Sequence, residues 1–140
     1  MNKNFIIGLI SRIHKKCEQR IYDQLKQNGY EDLAPTHGEI LYAVLSTPGL
    51  SMKSLGELIY RDKSTVTALT KKLEALGYVK RIQNPGDCRQ WLVYPTKKGE
   101  SFKSTFFHIS EGLLADIYDG ISDAEANKLI NTLTKIGKNL

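Results

Sequence analysis

The sequence predicts a mainly α-helical fold with one β-hairpin, in the α+β class. Three observations support this prediction. Apolar residues recur at helical spacing near both ends of the chain, and shorter helical patterns fill the region 36–76. Two runs rich in aromatic and β-branched residues, 78–83 and 91–94, flank a stretch of turn residues and predict the hairpin. The expected order is four helices, the hairpin and two more helices.

The first two helices are predicted from an apolar stripe and from a pair of capping residues. The stripe follows one helix face and ends before Gly29; its members are Ile6, Leu9, Ile10, Ile13, Cys17, Ile21 and Leu25. Thr36 is expected to begin the second helix, because Glu39 follows three residues later as its capping-box partner. The Thr-Pro-Gly sequence at 47–49 is expected to end that helix.

Polar residues at suitable positions predict the N-termini of the remaining helices. These N-caps are Ser51, Asp62, Thr96 and Ser122, the last with Glu125 as its capping-box partner. The helix after Asp62 has Val66, Leu69, Leu73 and Leu76 on its inner face, and Gly77 ends it. Seven residues separate the two predicted strands, so we expect a hairpin with a long and mobile tip.

The positive charge is concentrated in the middle of the chain. The 140 residues are 41% hydrophobic and 25% charged, as in a globular domain, and their net charge is +5. Residues 61–100 contain nine Lys or Arg and four acids, so this segment alone has a net charge of +5. Such a block is typical of a protein that binds a polyanion, although a solvated basic surface gives the same pattern.

Several classes of function are not expected from this sequence. The longest apolar run near the N-terminus, 5–7, is too short for a signal peptide or a membrane span, so a cytoplasmic location is expected. His14, His37 and His108 are scattered, which predicts neither a metal site nor another cofactor. No catalytic motif is present, and we expect a protein that is not an enzyme.

The third and fourth helices, 51–60 and 62–76, form a candidate helix-turn-helix for binding duplex DNA. The outer face of the fourth helix is small, polar and basic, as a helix in the major groove requires. The residues expected to contact DNA there are Lys63, Ser64, Thr65, Thr67, Ala68 and Lys71. The alternative is an ordinary surface helix with a polar face.

The hairpin that follows favours the DNA-binding interpretation. A helix-turn-helix followed by a β-hairpin is a winged helix, in which the hairpin, or wing, lies beside the recognition helix. An arginine near the wing tip can enter the neighbouring minor groove, where the negative potential is enhanced. Arg89 is the candidate for this contact.

Two stretches resemble the MarR family of bacterial transcription regulators: "RDKSTVTALTKKLEALGYVKR" at 61–81 and "GDCRQWLVYPTKKG" at 86–99. The resemblance extends over nearly the whole chain. It implies a winged helix-turn-helix DNA-binding domain at 35–100 and a helical dimerisation region made of residues 1–34 and 101–140. It also implies a homodimer that binds an inverted-repeat operator and that a small, often aromatic, effector releases from DNA. Repression by covering the operator is the simplest mechanism of this kind.

The resemblance also implies roles for individual wing residues. Asp87 matches the family's wing acid, which is expected to hold the wing's shape through an arginine partner, and Arg89 matches the arginine that reaches the minor groove. The chain departs from the family at Cys88, where a basic residue is common, and at 95–99, where Pro-Thr-Lys-Lys-Gly replaces the usual Leu-Thr-x-x-Gly. The first departure leaves the wing tip with one positive charge fewer.

Three further interpretations remain open at this stage. Tyr22, Tyr42 and Tyr60 are candidates for lining an effector pocket, although aromatic residues of this kind are more often part of a core. A thiol-based redox sensor that uses Cys17 or Cys88 is one alternative function. A helical protein-interaction module is another, but such a module does not explain the central basic block.

Overall fold

The computed structural model describes residues 2–140. The helices among them are α1 (Ile6–Gln27), α2 (Gly38–Ser46), α3 (Met52–Ile59), α4 (Lys63–Ala75), α5 (Lys97–Ile117) and α6 (Asp123–Asn139). The strands are β1 (Leu50–Ser51), β2 (Val79–Asn84) and β3 (Asp87–Pro95), and they form an antiparallel sheet in the order β1–β3–β2. The predicted order of helices and hairpin, and the α+β winged-helix class, are therefore confirmed.

Four of the predicted N-caps are confirmed. The Ser51 hydroxyl and the Asp62 carboxylate accept backbone N–H groups three residues on, at 3.0 and 2.7 Å. The Thr96 hydroxyl accepts the N–H of Gly99, and Ser122 forms a reciprocal capping box with Glu125. These caps satisfy N–H groups that the helix itself leaves without an acceptor.

The predicted capping box of the second helix is wrong. A 3₁₀ turn, Pro35–His37, precedes α2, and the helix begins at Gly38 rather than at Thr36. The Nδ1 atom of buried His37 accepts the N–H of Ala34 at 2.9 Å and takes the place of the predicted cap. The carboxylate of Glu39 accepts a hydrogen bond from Arg61 at 3.1 Å instead, a tertiary contact that local spacing does not reveal.

The hairpin tip is shorter than predicted, because the strands extend to a two-residue turn at Pro85 and Gly86. Gln83 pairs with Trp91 but Asn84 pairs with Asp87, so residues 88–90 form a bulge in β3. The side chain of Asn84 stabilises this geometry, since it accepts the N–H of Gly86 and donates to the side chain of Gln90. The predicted seven-residue tip is therefore wrong.

Strand β1 was not predicted from the sequence. Leu50 and Ser51 pair with Val93 and Leu92 of β3, which joins the start of α3 to the hairpin. Two residues are too few for an alternating pattern, and the partner strand lies more than forty positions along the chain.

The buried core lies in the middle of the chain. Its fully buried members come mainly from α2, α3, α4 and the sheet, and include Ile40, Leu41, Val44, Leu55, Val66, Leu73 and Val93. The terminal helices contribute little to it. Leu25 is the buried residue of α1, and α6 has none, so long apolar faces at both ends of the chain stay exposed.

Tyr78 joins the end of α4 to the start of α5. Its side chain is buried, and its hydroxyl donates to Asp32 in the α1–α2 loop at 3.0 Å. Its carbonyl oxygen accepts the N–H of Thr96 and lies directly against the α-carbon of Gly99. A Cβ atom at position 99 would overlap that oxygen, so the position requires glycine for close approach.

Replacing Gly99 with alanine should destabilise the protein by about 3 kcal/mol, because the added methyl group forces α5 away from Tyr78. Gly112, exposed in the same helix with open space around it, is the matched control. Gly112→Ala should be neutral or stabilise the helix by up to about 1 kcal/mol. Urea unfolding measures both values, and equal stability of the two variants would contradict the proposed close approach.

Candidate nucleic-acid interface

A concave surface of about 890 Å³ lies between α3, α4 and the hairpin. We call it the basic groove. Its wall is formed by Ser51, Met52, Lys53, Gly56, Glu57, Tyr60, Arg61, Lys63, Val66, Thr67, Lys71, Arg81, Arg89, Gln90 and Trp91. Six of these residues are Lys or Arg and one is an acid; three of the six cations are paired with acids outside the wall, which leaves a net charge of +2. A groove of this charge attracts polyanions.

The groove brings together four of the predicted DNA contacts and three cations that the sequence analysis missed. Lys63, Thr67, Lys71 and Arg89 were predicted and line the groove. The missed cations are Lys53, Arg61 and Arg81. They come from α3, from the turn after it and from β2, and no local pattern distinguishes them from other surface cations.

The first turn of α4 is organised by its N-cap. Asp62 accepts the N–H of Thr65 and the hydroxyl of Ser64, the latter at 2.9 Å. These hydrogen bonds, first that from the Thr65 backbone, lower the pKa of Asp62, so the carboxylate stays ionised at neutral pH. Ser64 and Ala68 are exposed on α4 but lie outside the wall of the groove, and Thr65 is half-buried.

Asp87 and Arg89 contact each other across the bulge of the wing. One carboxylate oxygen of Asp87 accepts both the backbone N–H and the Nε–H of Arg89, each at 3.1 Å. The arginine partner of the wing acid is thus Arg89 itself. The Arg89 side chain is 89% exposed, so its remaining N–H groups are free to bind an anion from solvent.

Arg81 links the base of the wing to the recognition helix. Its Nε and Nη2 donate to the two carboxylate oxygens of Glu74 in α4, both at 3.1 Å. The hydrogen bond from Arg81 lowers the pKa of Glu74. The guanidinium also lies over the ring of Trp91, 5.3 Å from its centroid, which is a cation–π contact.

A second cleft of about 670 Å³ has mostly apolar walls and lies between α1, α2, the end of α3 and α5. We call it the apolar cleft. Tyr42 and Tyr60 line it, together with Phe106, Leu113 and other apolar side chains, whereas Tyr22 lies outside its wall. His37 also lines the cleft, and burial, followed by nearby Lys72, lowers its pKa. His37 is therefore neutral, with its proton on Nε2, since Nδ1 accepts a backbone N–H.

Tyr60 belongs to the walls of both the basic groove and the apolar cleft. It is the C-cap of α3 and adopts the left-handed conformation with φ = 56°, which costs about 1 kcal/mol or more for a bulky residue. Its side chain is 84% exposed. The next residue, Arg61, lines the groove and bonds Glu39 of the cleft at 3.1 Å. The turn between α3 and α4 thus touches both sites.

The two cysteines lie in different surroundings. Cys17 is half-buried on α1, while Cys88 is exposed in the bulge of the wing. Within residues 2–140, no three His, Cys, Asp or Glu side chains cluster as a metal site would require. Among the described helices, none combines the length and the apolar character that a bilayer-spanning helix needs.

The helix-turn-helix, the wing and the basic groove together define a winged-helix protein of the DNA-binding class. The model of the MarR family matches residues 33–91. The regulator SarZ of Staphylococcus haemolyticus is 33% identical over 108 residues, which cover 77% of this chain and 72% of SarZ. SarZ of Staphylococcus aureus is 35% identical over 102 residues, or 73% and 68% of the two chains.

The chain belongs to the MarR family, and it is a DNA-binding transcription regulator of the helix-turn-helix type rather than an enzyme. The resemblance in the sequence is thereby confirmed. A solved structure, the S. aureus MepR–DNA complex, has the same fold, with a TM-score of 0.81 at 20% identity. The match covers 100% of this chain and 99% of MepR.

Proposed function

We propose that this protein is a homodimeric repressor that binds an inverted-repeat operator through its basic groove and releases it when a small aromatic molecule occupies the apolar cleft. The observation that supports DNA contact most strongly is the groove itself, with six cations and one acid between the recognition helix and the wing. The MepR structure, which has the same fold, was solved as a complex with DNA, and this supports DNA as the partner.

In this proposal the N-terminal half of α4 enters the major groove. The residues that contact bases and phosphates are Lys63, Ser64, Thr65, Thr67, Ala68 and Lys71. The positive end of the dipole of α4 lies at its N-terminus, where it favours nearby phosphates. Thr67 and Ala68 have methyl groups that can contact thymine, and Lys71 can bind a guanine acceptor or a phosphate.

Arg89 extends from the wing towards the adjacent minor groove in the same proposal. Its exposed guanidinium has free donors, and Asp87 holds the backbone of the bulge from which it projects. The ion pair between the two side chains is solvent-exposed and contributes little to stability. Its main effect is to limit the directions in which Arg89 can point, which lowers the entropy lost on binding.

Arg89→Ala should weaken binding to duplex DNA about tenfold or more, because a narrow minor groove loses its cation. The melting temperature should change by less than about 2 °C, since the side chain is exposed. Lys80→Ala is the matched control, as Lys80 is exposed on the same hairpin, lies outside the groove wall and loses the same charge. Fluorescence anisotropy with labelled duplex compares the three proteins, and equal loss in both variants would contradict a specific role for Arg89.

The exposed apolar faces of the terminal helices support a homodimer. Residues 2–140 leave large apolar side chains exposed on α1, near the end of α5 and on α6: Ile6, Ile7, Ile10, Ile13, Leu114, Ile117, Ile121, Leu129, Ile130 and Leu133. Exposed apolar side chains in this number, at helical spacing on three helices, mark an interface. A second copy of the same helices, related by a two-fold axis, covers it most simply, and the axis gives an inverted repeat on DNA.

The double variant Leu129→Glu/Leu133→Glu should be monomeric at concentrations where the wild type is dimeric, because each change places a charge in the proposed apolar interface. Asn127→Glu/Asn131→Glu is the matched control. It adds the same charge to the same helix at exposed polar positions. Sedimentation velocity gives the masses, and a dimer that persists in the Leu variant would show that α6 is not its interface.

The apolar cleft supports the effector part of the proposal. Its volume suits a small ligand, and its wall combines the aromatic rings of Tyr42, Tyr60 and Phe106 with the polar groups of His37 and Glu39. An occupant that shifts Tyr60 or Glu39 also shifts Arg61, which faces the basic groove. Effector binding thereby changes the DNA-binding surface through the turn between α3 and α4.

A bulky residue at Ser110 should block this effect, because Ser110 lines the cleft from α5. Small aromatic acids and phenols are screened for release of labelled duplex from the wild type. Ser110→Phe should bind DNA normally but need about tenfold more of an active compound, the loss that follows from a filled pocket. Ser104→Phe, at an exposed position of the same helix outside the cleft, should respond like the wild type. Equal responses of both variants would place the effector site elsewhere.

A further inference from the structure

Trp91 lies where the hairpin extends beyond the core. In the register of the sheet, Trp91 pairs with Gln83 and Val93 pairs with Arg81. Because side chains alternate along a strand, Trp91 shares a face with Val93, which is 0% exposed. Arg81 lies on the same face and bonds Glu74, so this face is directed towards α4. Trp91 continues it into the basic groove, where it is 39% exposed.

The ring of Trp91 is already oriented. The guanidinium of Arg81 lies 5.3 Å from its centroid, and two hydrogen bonds to Glu74 hold that guanidinium in place. A side chain held in this way loses little conformational entropy when it makes a further contact. Packing explains the face of the Trp91 ring that lies against Arg81. It does not explain why the indole is also exposed in a groove lined by cations.

The indole nitrogen of Trp91 can donate a hydrogen bond but cannot accept one. Within residues 2–140, none of the side-chain hydrogen bonds of the hairpin uses the indole; those bonds involve Arg81, Gln83, Asn84, Asp87, Arg89 and Gln90. Its acceptor therefore comes from solvent or from a bound molecule. The nearby cations of the groove, among them Lys71, select an anionic acceptor.

We propose that Trp91 is a DNA contact of this protein, in which the indole N–H donates to a phosphate oxygen of the strand that passes between α4 and the wing. The proposal depends on the basic groove being the DNA-facing surface, as proposed above. Contacts to phosphate from neutral donors fix the position of a protein on the duplex without reading its sequence. Trp91 would fix the angle between the recognition helix and the duplex, since Arg81 and Glu74 couple its ring to α4.

Trp91→Phe tests the donor separately from the stack, because phenylalanine keeps an aromatic face for Arg81 and removes the N–H group. A mixed-sequence duplex of about three helical turns at low salt is a sufficient probe, since phosphate contacts do not depend on sequence. The variant should bind about 3- to 10-fold more weakly, the loss expected for one hydrogen bond in contact with solvent. The dependence of affinity on salt should keep its slope, because no cation is lost.

Ile82→Ala is the control for changes to an apolar residue of the hairpin. Ile82 is exposed, lies on the opposite face of β2 and is not part of the groove wall, so its removal should leave the affinity unchanged. Thermal unfolding checks that both variants are folded. If Trp91→Phe were unfolded, the wild-type protein alone would still test the proposal by fluorescence.

Trp91 is the single tryptophan of the chain, so its emission reports directly on this site. Saturating duplex should quench or shift the emission of the wild type. Unchanged emission, or equal affinity of Trp91→Phe and wild type, would overturn the proposal and leave the groove as the binding surface. A wild type that does not bind the duplex at low salt would instead overturn the proposed DNA-binding surface, and the role of Trp91 with it.

Discussion

The contact between Tyr78 and the start of α5 determines how the helical ends of the protein are joined to its DNA-binding region. Burial, followed by the hydrogen bond to Asp32, raises the pKa of the Tyr78 phenol, so the hydroxyl remains a donor at physiological pH. A hydrogen bond to a carboxylate contributes about 1.5–3 kcal/mol. Lys98 reinforces the contact, since its ammonium lies over the Tyr78 ring and donates to Asp32 and to the carbonyl of Leu76.

This contact fixes the orientation of the recognition helix. The end of α4, the start of α5 and the α1–α2 loop meet at Tyr78, so the recognition helix has a fixed direction relative to the long terminal helices. In the proposed dimer those helices form the interface, and the distance between the two copies of α4 sets the spacing of the half-sites. The apolar cleft lies next to the same framework, since Phe102, which packs on Tyr78, lines it between α1, α2 and α5. In the proposed mechanism, a ligand there acts on the turn at Tyr60, which has a strained left-handed conformation and also lines the proposed DNA-facing groove.

The sequence predicted the parts of the structure that depend on local chemistry. Asp62 and Ser122 are recognisable as N-caps because the groups they bond lie within three residues. Local spacing failed where distant residues decide the outcome. Thr36 has the spacing of a cap, but the buried His37 ring occupies that place, and Glu39 instead bonds Arg61 in the turn between α3 and α4.

The same limit applies to the proposed DNA-binding surface. A helical wheel predicts which residues lie on the outer face of α4, and the position of Arg89 in the wing makes it a candidate contact. Lys53, Arg61 and Arg81 could not be assigned, because tertiary packing alone brings them to one groove. Trp91 was assigned only to a strand, since its exposure beside the recognition helix depends on a register that the bulge at 88–90 shifts. The left-handed Tyr60 also has no local signature, because that conformation normally favours glycine.

In the proposed dimer, two copies of this chain present their basic grooves to DNA in a two-fold arrangement. Selection of bound duplexes from a random library, followed by sequencing, tests it most directly. We expect two half-sites related by inversion, with centres about one helical turn apart. A single asymmetric motif, or two half-sites in direct repeat, would contradict the two-fold arrangement.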